Sequence, residues 1–145
     1  MIGNKKFEQI EHTADVGIKA FGKTLEELFE SSAYGMFSVM LEQYENFSGK
    51  NEISIETSAD NLEDLLVNWL QELLYRFEVK SLVFSNFHVK ISSDVKTKSL
   101  IGSAGCDHYN KRKYGYPSEI KAVTYHNLEI KMDKNLYSVE IIFDV

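Results

Sequence analysis

Two short segments place acidic side chains where an apolar strand would ordinarily avoid them. The segment HTADVG sets His12 and Asp15 at the start of the first predicted strand, and the run IIFDV carries Asp144 directly before Val145. Asp is depleted in strands because its carboxylate must be desolvated. Asp144 and the α-carboxylate of Val145 also repel each other unless a positive group neutralises them. The pattern therefore indicates that these positions serve a purpose that needs charge.

Asp15, Asp144 and Val145 would form one site if the two ends of the chain meet. Three converging carboxylates would provide oxygen ligands only, which suits a hard cation such as Ca²⁺ or Mg²⁺. Termini of one domain are often close together, although they need not be. In the alternative interpretation, Asp15 caps a turn and Asp144 is solvated at a frayed end. Spacing alone slightly favours this alternative.

Other reactive residue types occur without a recognisable arrangement. Lys121 stands in the segment EIKAVTYH, where its ammonium would either extend to solvent or pair with a carboxylate cluster. Cys106 is the only cysteine and His108 follows closely, but a lone Cys with scattered His is weak evidence for a nucleophilic dyad. The chain lacks G-x-G-x-x-G, H-E-x-x-H and paired-cysteine patterns. A self-contained enzyme of a common class is therefore not expected.

Composition predicts one domain over residues 1–145. The chain has 43% hydrophobic and 26% charged residues, which is typical of globular proteins, and its length suffices for a single core. The net charge of -6 disfavours direct nucleic-acid binding, and we interpret the basic run from Lys111 to Lys113 as solvated. A single cysteine, no signal peptide and no apolar run of roughly 20 residues predict a soluble cytoplasmic protein that does not enter the membrane.

Two segments have helical periodicity. Thr24 and Glu27 form a T-x-x-E capping pattern, and apolar residues recur at three- and four-residue steps as far as Met40. A second helix is predicted to begin near Asp60, with a leucine-rich stripe that ends at Phe77. Each stripe predicts a helix that packs on a core.

Short segments rich in β-branched and aromatic residues predict the strands. Asp133-Lys134-Asn135 predicts a hairpin turn. The segment from Gly102 to Ser118 contains three glycines and the only proline, which predicts a long loop or an irregular hairpin. The order of elements predicts a two-layer α+β domain, in which two main helices cover one face of a mixed or mostly antiparallel sheet. The predicted strands are Val16 to Phe21, Glu52 to Thr57, Phe84 to Ile91, Leu100 to Cys106, Ile120 to Tyr125, Leu128 to Met132 and Tyr137 to Phe143.

Four separated segments together resemble the archease family. They are HTADVGIKAFGKTLEELFESSAYGMF near the start, DNLEDLLVNWLQELLYRFE in the centre, EIKAVTYH later and VEIIFDV at the end. They occur in the family's order and cover nearly the whole chain. The resemblance implies a non-enzymatic protein cofactor of an RtcB-type RNA ligase, which joins spliced tRNA halves through a guanylylated histidine in a manganese-containing active site. It implies that this protein promotes guanylylation and repeated turnover, and that it can broaden the nucleotide that the ligase accepts.

The resemblance also implies which residues form the site. Asp15, Asp144 and Val145 match the family's metal site, with Val145 contributing a main-chain or terminal carboxylate oxygen, and this favours the cation interpretation. We expect Ca²⁺, with Mg²⁺ or Mn²⁺ as alternatives, and regard Lys121 and His12 as further functional candidates. RNA is expected to contact mainly the ligase, because this chain is acidic. The loop from Gly102 to Ser118 departs from the family's usual pattern, so no role is assigned to it.

Two other function classes remain open at this point. A metal-dependent phosphodiesterase or nuclease would use the cation to activate water, but it needs an open coordination position and a basic cleft. A chaperone-like adaptor would instead bind proteins through its helix faces and the Gly102 loop.

Overall fold

The strands pair into two antiparallel sheets in the computed structural model, which describes residues 6–12 and 15–145. The five-stranded sheet has β1 (Phe7–His12), β2 (Asp15–Gly22), β6 (Ala122–Val123), β7 (Lys131–Asp133) and β8 (Leu136–Asp144). The three-stranded sheet has β3 (Asn51–Ala59), β4 (Leu82–Ser93) and β5 (Lys98–His108). The α-helices within the described residues are α1 (Leu25–Met40), α2 (Leu62–Lys80) and the short α3 (Lys111–Tyr114).

Both long helices begin at the capping residues that local sequence favours. The Thr24 hydroxyl accepts a hydrogen bond from the Glu27 N–H at 3.0 Å, which confirms the predicted capping pattern. Asn61 caps α2 by accepting from the Asp64 N–H at 2.8 Å. The second helix therefore begins at Leu62, directly after an amide cap that satisfies one of its free N–H groups.

One core joins both sheets because each long helix touches strands of both. α1 packs on β2 and β4, while α2 packs on β3, β4, β5 and β6. Trp69 of α2 is fully buried, and its indole N–H donates to the Phe29 carbonyl of α1 at 3.1 Å. The α+β class with two main helices is confirmed, and the division of the strands into two sheets adds to the prediction.

Side chains of α2 bind the backbone of two predicted strands that are shorter than expected. The Val123 N–H donates to Gln71 Oε1 at 3.0 Å, and the Ile130 N–H, directly before β7, donates to Glu63 Oε2 at 3.0 Å. The helix thus satisfies both N–H groups. The predicted strands from Ile120 to Tyr125 and from Leu128 to Met132 reduce to β6 and β7. The sequence analysis also missed β1 altogether.

The last hairpin is confirmed by its backbone. Lys134 and Asn135 connect β7 to β8 with φ of 51° and 63°. Positive φ at both central residues is the conformation that suits a two-residue hairpin between right-twisted strands, and Asn tolerates it well.

The segment from Gly102 to Ser118 is more regular than predicted. β5 continues through its glycines to His108, and α3 follows after a short connection. Gly102 faces the Trp69 ring so closely that a Cβ there would lie 2.6 Å from Cζ3. The glycine accordingly marks close packing of a strand against a helix and not a loop. The prediction of a long loop or irregular hairpin is therefore wrong for β5 and α3, whereas residues 115–118 belong to no helix or strand.

No helix in the described residues is long and apolar enough to cross a membrane.

Candidate functional site

The ends of three strands of the five-stranded sheet bring the predicted site residues together. Val16 of β2 pairs with Phe143 of β8, and this register continued by one residue sets Asp15 opposite Asp144. On the other side of β8, Ala122 pairs with Asp144, and the Lys121 N–H donates to the Asp144 carbonyl at 2.7 Å. Asp15, Asp144 and Lys121 thus lie at one corner of the sheet. A shared site requires this proximity.

The corner lies at the boundary between the buried core and the solvent-exposed surface. Phe143 is fully buried, whereas Asp144 and Val145 are exposed and Asp15 is half-buried. Carboxylates at this boundary keep access to water while their backbone is held by the strand pairing. We call Asp15, Asp144 and Val145 the acidic edge.

Lys121 lies beside the acidic edge through its backbone, and its side chain is exposed. No ion pair of Lys121 occurs among the described residues. Lys121 was predicted either to extend to solvent or to pair with a carboxylate cluster, and the structure shows it exposed to solvent.

The backbone of His12 ends β1 directly opposite Asp15. The side chain of His12 and the whole of Thr13 and Ala14 lie outside the described residues, so the functional role of His12 stays a prediction.

The donor set of the acidic edge fits a hard cation. Two carboxylates on neighbouring strands and a main-chain oxygen of Val145 are all oxygen ligands, which Ca²⁺ and Mg²⁺ prefer. Within the described part of the chain, no group of three or more His, Cys, Asp or Glu side chains could hold a metal ion. A site at this corner would therefore need the main-chain oxygen and water in addition to its two aspartates.

Sequence reasoning missed a second polar cluster, at Asp107. Lys113 Nζ and the Tyr114 hydroxyl each donate to Asp107 Oδ2 at 2.6 Å, and Lys113 Nζ also donates to Ser48 Oγ at 2.6 Å. Burial raises the pKa of Asp107, but the hydrogen bonds from Lys113 and Tyr114 outweigh it and leave the pKa below its usual range. Burial, followed by the bond to Asp107, raises the pKa of the Tyr114 phenol.

The cluster at Asp107 orders the segment after β5 and leaves no charge unpaired within it. An acid, a base and a tyrosine within eight positions were the available sequence signal, but only the turn made by α3 brings them together. Cys106, next to Asp107 in the sequence, is 8% exposed and belongs to the core. Its place in the core is typical of a structural cysteine.

The sequence matches the model of the Archease protein family (MTH1598/TM1083) over residues 7–145. The protein archease of Methanosarcina mazei is 39% identical over 142 residues, which cover 97% of each chain. The protein archease of Pyrococcus furiosus is 39% identical over 127 residues, which cover 88% of this chain and 89% of that one. Relatives of this similarity share the family with the present chain.

Two solved structures have the same fold. The solution structure of protein 1598 of Methanobacterium thermoautotrophicum matches with a TM-score of 0.82 at 35% identity, and covers 97% of this chain and 99% of that one. The crystal structure of an archease of Thermotoga maritima, described as a possible chaperone, matches with a TM-score of 0.61 at 21% identity, and covers 95% and 96%. The second likeness concerns the fold alone.

Proposed function

This chain belongs to the archease family, and we propose that it is a protein cofactor of an RtcB-type RNA ligase. In this role it promotes guanylylation of the ligase histidine, so that the ligase turns over repeatedly in tRNA splicing, and it broadens the nucleotide that the ligase accepts. The family match over residues 7–145 supports the proposal, because the resemblance of the same segments implies this activity.

We assign divalent-cation binding to the acidic edge. The observation that carries this assignment is the strand register, which pairs Val16 with Phe143 and, continued by one residue, sets Asp15 opposite Asp144. Residues directly opposite on antiparallel strands have Cα atoms about 4.5–5.5 Å apart, so both carboxylates can reach one ion. Ca²⁺ accepts an irregular set of six to eight oxygens, whereas Mg²⁺ demands near-ideal octahedral geometry. We therefore rank Ca²⁺ ahead of Mg²⁺ and Mn²⁺.

The chain's own residues give the acidic edge its rigidity. Asp144 pairs with Ala122 and accepts from the Lys121 N–H on one side, and its neighbour Phe143 pairs with β2 on the other. A bound cation supplies positive charge that offsets the repulsion between the carboxylates. The fixed strand end then presents negative charge to the ligase active site, where it positions the ligase's own metal and nucleotide for attack by the histidine. Lys121 adds an exposed positive charge next to this contact.

The test is multiple-turnover RNA ligation by the cognate ligase, with GTP, divalent metal and a sub-stoichiometric amount of this protein. We expect strong stimulation by the wild type and a loss of roughly tenfold or more with Asp144→Asn, since a contact to a charged group is worth about 1.5–3 kcal/mol. Asp133→Asn is the matched control, because Asp133 is exposed and pairs with Leu136, at the end of β8 opposite Asp144.

Two results would contradict the proposal. A ligase that completes one round of ligation but is not stimulated by this protein would remove the cofactor role. Wild-type stimulation by Asp144→Asn would leave that role intact and remove the acidic edge from it.

A further inference from the structure

A group of cationic and aromatic side chains gathers around the segment that follows β5. The protein as a whole has a net charge of -6, yet Lys111, Arg112 and Tyr116 are exposed together on this segment. Among the described residues, neither Lys111 nor Arg112 forms an ion pair. We call this group, with Lys50 and His108, the basic surface.

Lys113 connects this segment to a groove that Lys50 and His108 line. Both line an open groove of about 300 Å³ together with Ser48 and Asp107. The Lys113 ammonium donates to Ser48 Oγ and Asp107 Oδ2, and its charge neutralises the Asp107 carboxylate at the groove wall. The groove therefore offers hydrogen-bond donors and a positive charge from Lys50, while its one carboxylate is already paired.

The segment that carries the basic surface is held in place by hydrogen bonds. Asn110 Oδ1 accepts from the Arg112 N–H at 2.9 Å, and Asn46 Nδ2 donates to the Lys113 carbonyl at 2.8 Å. The Ser118 N–H donates to the Met40 carbonyl at 2.8 Å, which ties the segment to the end of α1. Side chains on such a fixed frame lose less entropy on binding than side chains on a mobile loop.

Tyr116 gives the basic surface an aromatic platform. Its side chain is 75% exposed, and the Lys111 ammonium lies 5.0 Å from the ring centroid and 3.2 Å from the hydroxyl. An exposed aromatic ring beside cations is the arrangement on which single-stranded nucleic acids bind, with phosphates on the cations and a base stacked on the ring.

We infer that the basic surface binds the phosphate backbone of single-stranded RNA and stacks one base on Tyr116. An acidic protein partner would pair with the cations but would have no use for the exposed ring, so the observations favour RNA. Only residues 117–120 separate Tyr116 from Lys121, so their Cα atoms lie within about 18 Å of each other. Bound RNA would thus lie near the acidic edge. This inference extends the proposed function by adding an RNA contact made by this chain itself.

Fluorescence anisotropy with a labelled single-stranded oligoribonucleotide, in the absence of ligase, tests the inference. The variant Lys50→Ala/Arg112→Ala removes two cations and keeps the pair of Lys111 with Tyr116. We expect it to weaken binding and to flatten the slope of log affinity against log salt by about 1.4, since each phosphate contact on a single strand contributes about 0.7. Lys90→Ala/Lys96→Ala is the matched control, because Lys90 pairs with Ile101, which lies about 23 Å along β5 from His108.

The ring is tested separately from the charge. Tyr116→Ala should reduce affinity by roughly fivefold or more, and Tyr116→Phe should retain it, because stacking needs only the ring. Equal binding of polyglutamate and RNA would overturn the inference in favour of an acidic protein surface, as would RNA binding that neither variant changes. Failure of RNA binding while the protein still stimulates the ligase would overturn this inference alone.

Discussion

Asp107 shows how a single carboxylate can organise a surface segment. It accepts from Lys113 on the segment's solvent side and from the phenol of Tyr114, which is fully buried. The interaction joins the end of β5 to α3 and keeps the backbone of the basic surface in one conformation. A charged acceptor with two short hydrogen bonds contributes more than an exposed ion pair.

Asp107→Asn should lower the free energy of unfolding by about 1–2 kcal/mol at pH 7, because it removes the charge from two hydrogen bonds. The pKa of Asp107 is lowered in the folded state, so its stabilisation is present above the unfolded pKa and is lost as pH falls through the folded pKa. Urea unfolding of wild type and variant at pH 7 and near pH 3 measures both effects. The difference should shrink at the lower pH, while exposed Asp133→Asn changes stability by less than about 0.5 kcal/mol. An equal difference at both pH values would exclude the electrostatic explanation.

Individual residues differ in how well sequence revealed them. Asp15 and Asp144 attracted notice because each is an acid at the end of a strand, and the strand register, continued by one residue, sets them opposite each other. The contacts of Asp107 with Lys113 and Tyr114 could not be predicted, because they depend on α3, which is too short to show a helical periodicity in the sequence. Local propensity thus detects an unusual residue more easily than it detects that residue's partners.

At the level of elements, β5 and α2 meet through a glycine and the only tryptophan. A Cβ on Gly102 would lie 2.6 and 2.8 Å from two ring atoms of Trp69, which is fully buried and cannot move aside. Gly105 lies in the same strand, but a Cβ there would have its nearest neighbour, the Ser85 carbonyl oxygen, at 3.4 Å. The two glycines therefore form a natural pair of test and control.

Gly102→Ala should destabilise the protein by about 2 kcal/mol, because overpacking forces the strand away from the helix. The thermal midpoint should fall by about 4–8 °C, and the fluorescence of Trp69 should change. Gly105→Ala should leave both close to wild type. Similar losses in both variants would show that backbone entropy, and not contact with the ring, determines the effect.

The helices were predictable because their signals are local. Thr24 and the apolar positions of α1 lie within one continuous segment, so periodicity and capping suffice. The start of β7 was not predictable, because Glu63 of α2 takes the hydrogen bond of the Ile130 N–H directly before the strand. An element that ends through a distant side chain carries no local stop signal.

At the scale of the whole molecule, the order of the strands in the two sheets could not be predicted from the sequence. Counting strands and helices is enough to predict the α+β class, but not which strands are neighbours. β8 pairs with β2 on one side and with β6 and β7 on the other, whereas β5 lies between β3 and β4 and pairs with both. These choices depend on the shared core between the helices and both sheets, which is a property of the complete fold.

Cation binding at the acidic edge should stabilise the whole protein, because the site exists only when β2 and β8 are paired. Ca²⁺ at a hundredfold excess over its dissociation constant should add about 2.7 kcal/mol to the free energy of unfolding. Differential scanning fluorimetry should show a rise in the thermal midpoint of about 5–10 °C, which a chelator reverses. The rise should disappear in Asp144→Asn and persist in Asp133→Asn. A rise that both variants retain would place the cation elsewhere.

The pairing of β2 with β8 also has a consequence for the order of folding. Val16 and Phe143 stand near opposite ends of the sequence, while β4 and β5 form a hairpin of close neighbours. Closing a long loop costs entropy, so we expect the hairpin to form early and the β2–β8 pair to form late. The acidic edge would then be assembled in the last step, and a partly folded chain would lack it.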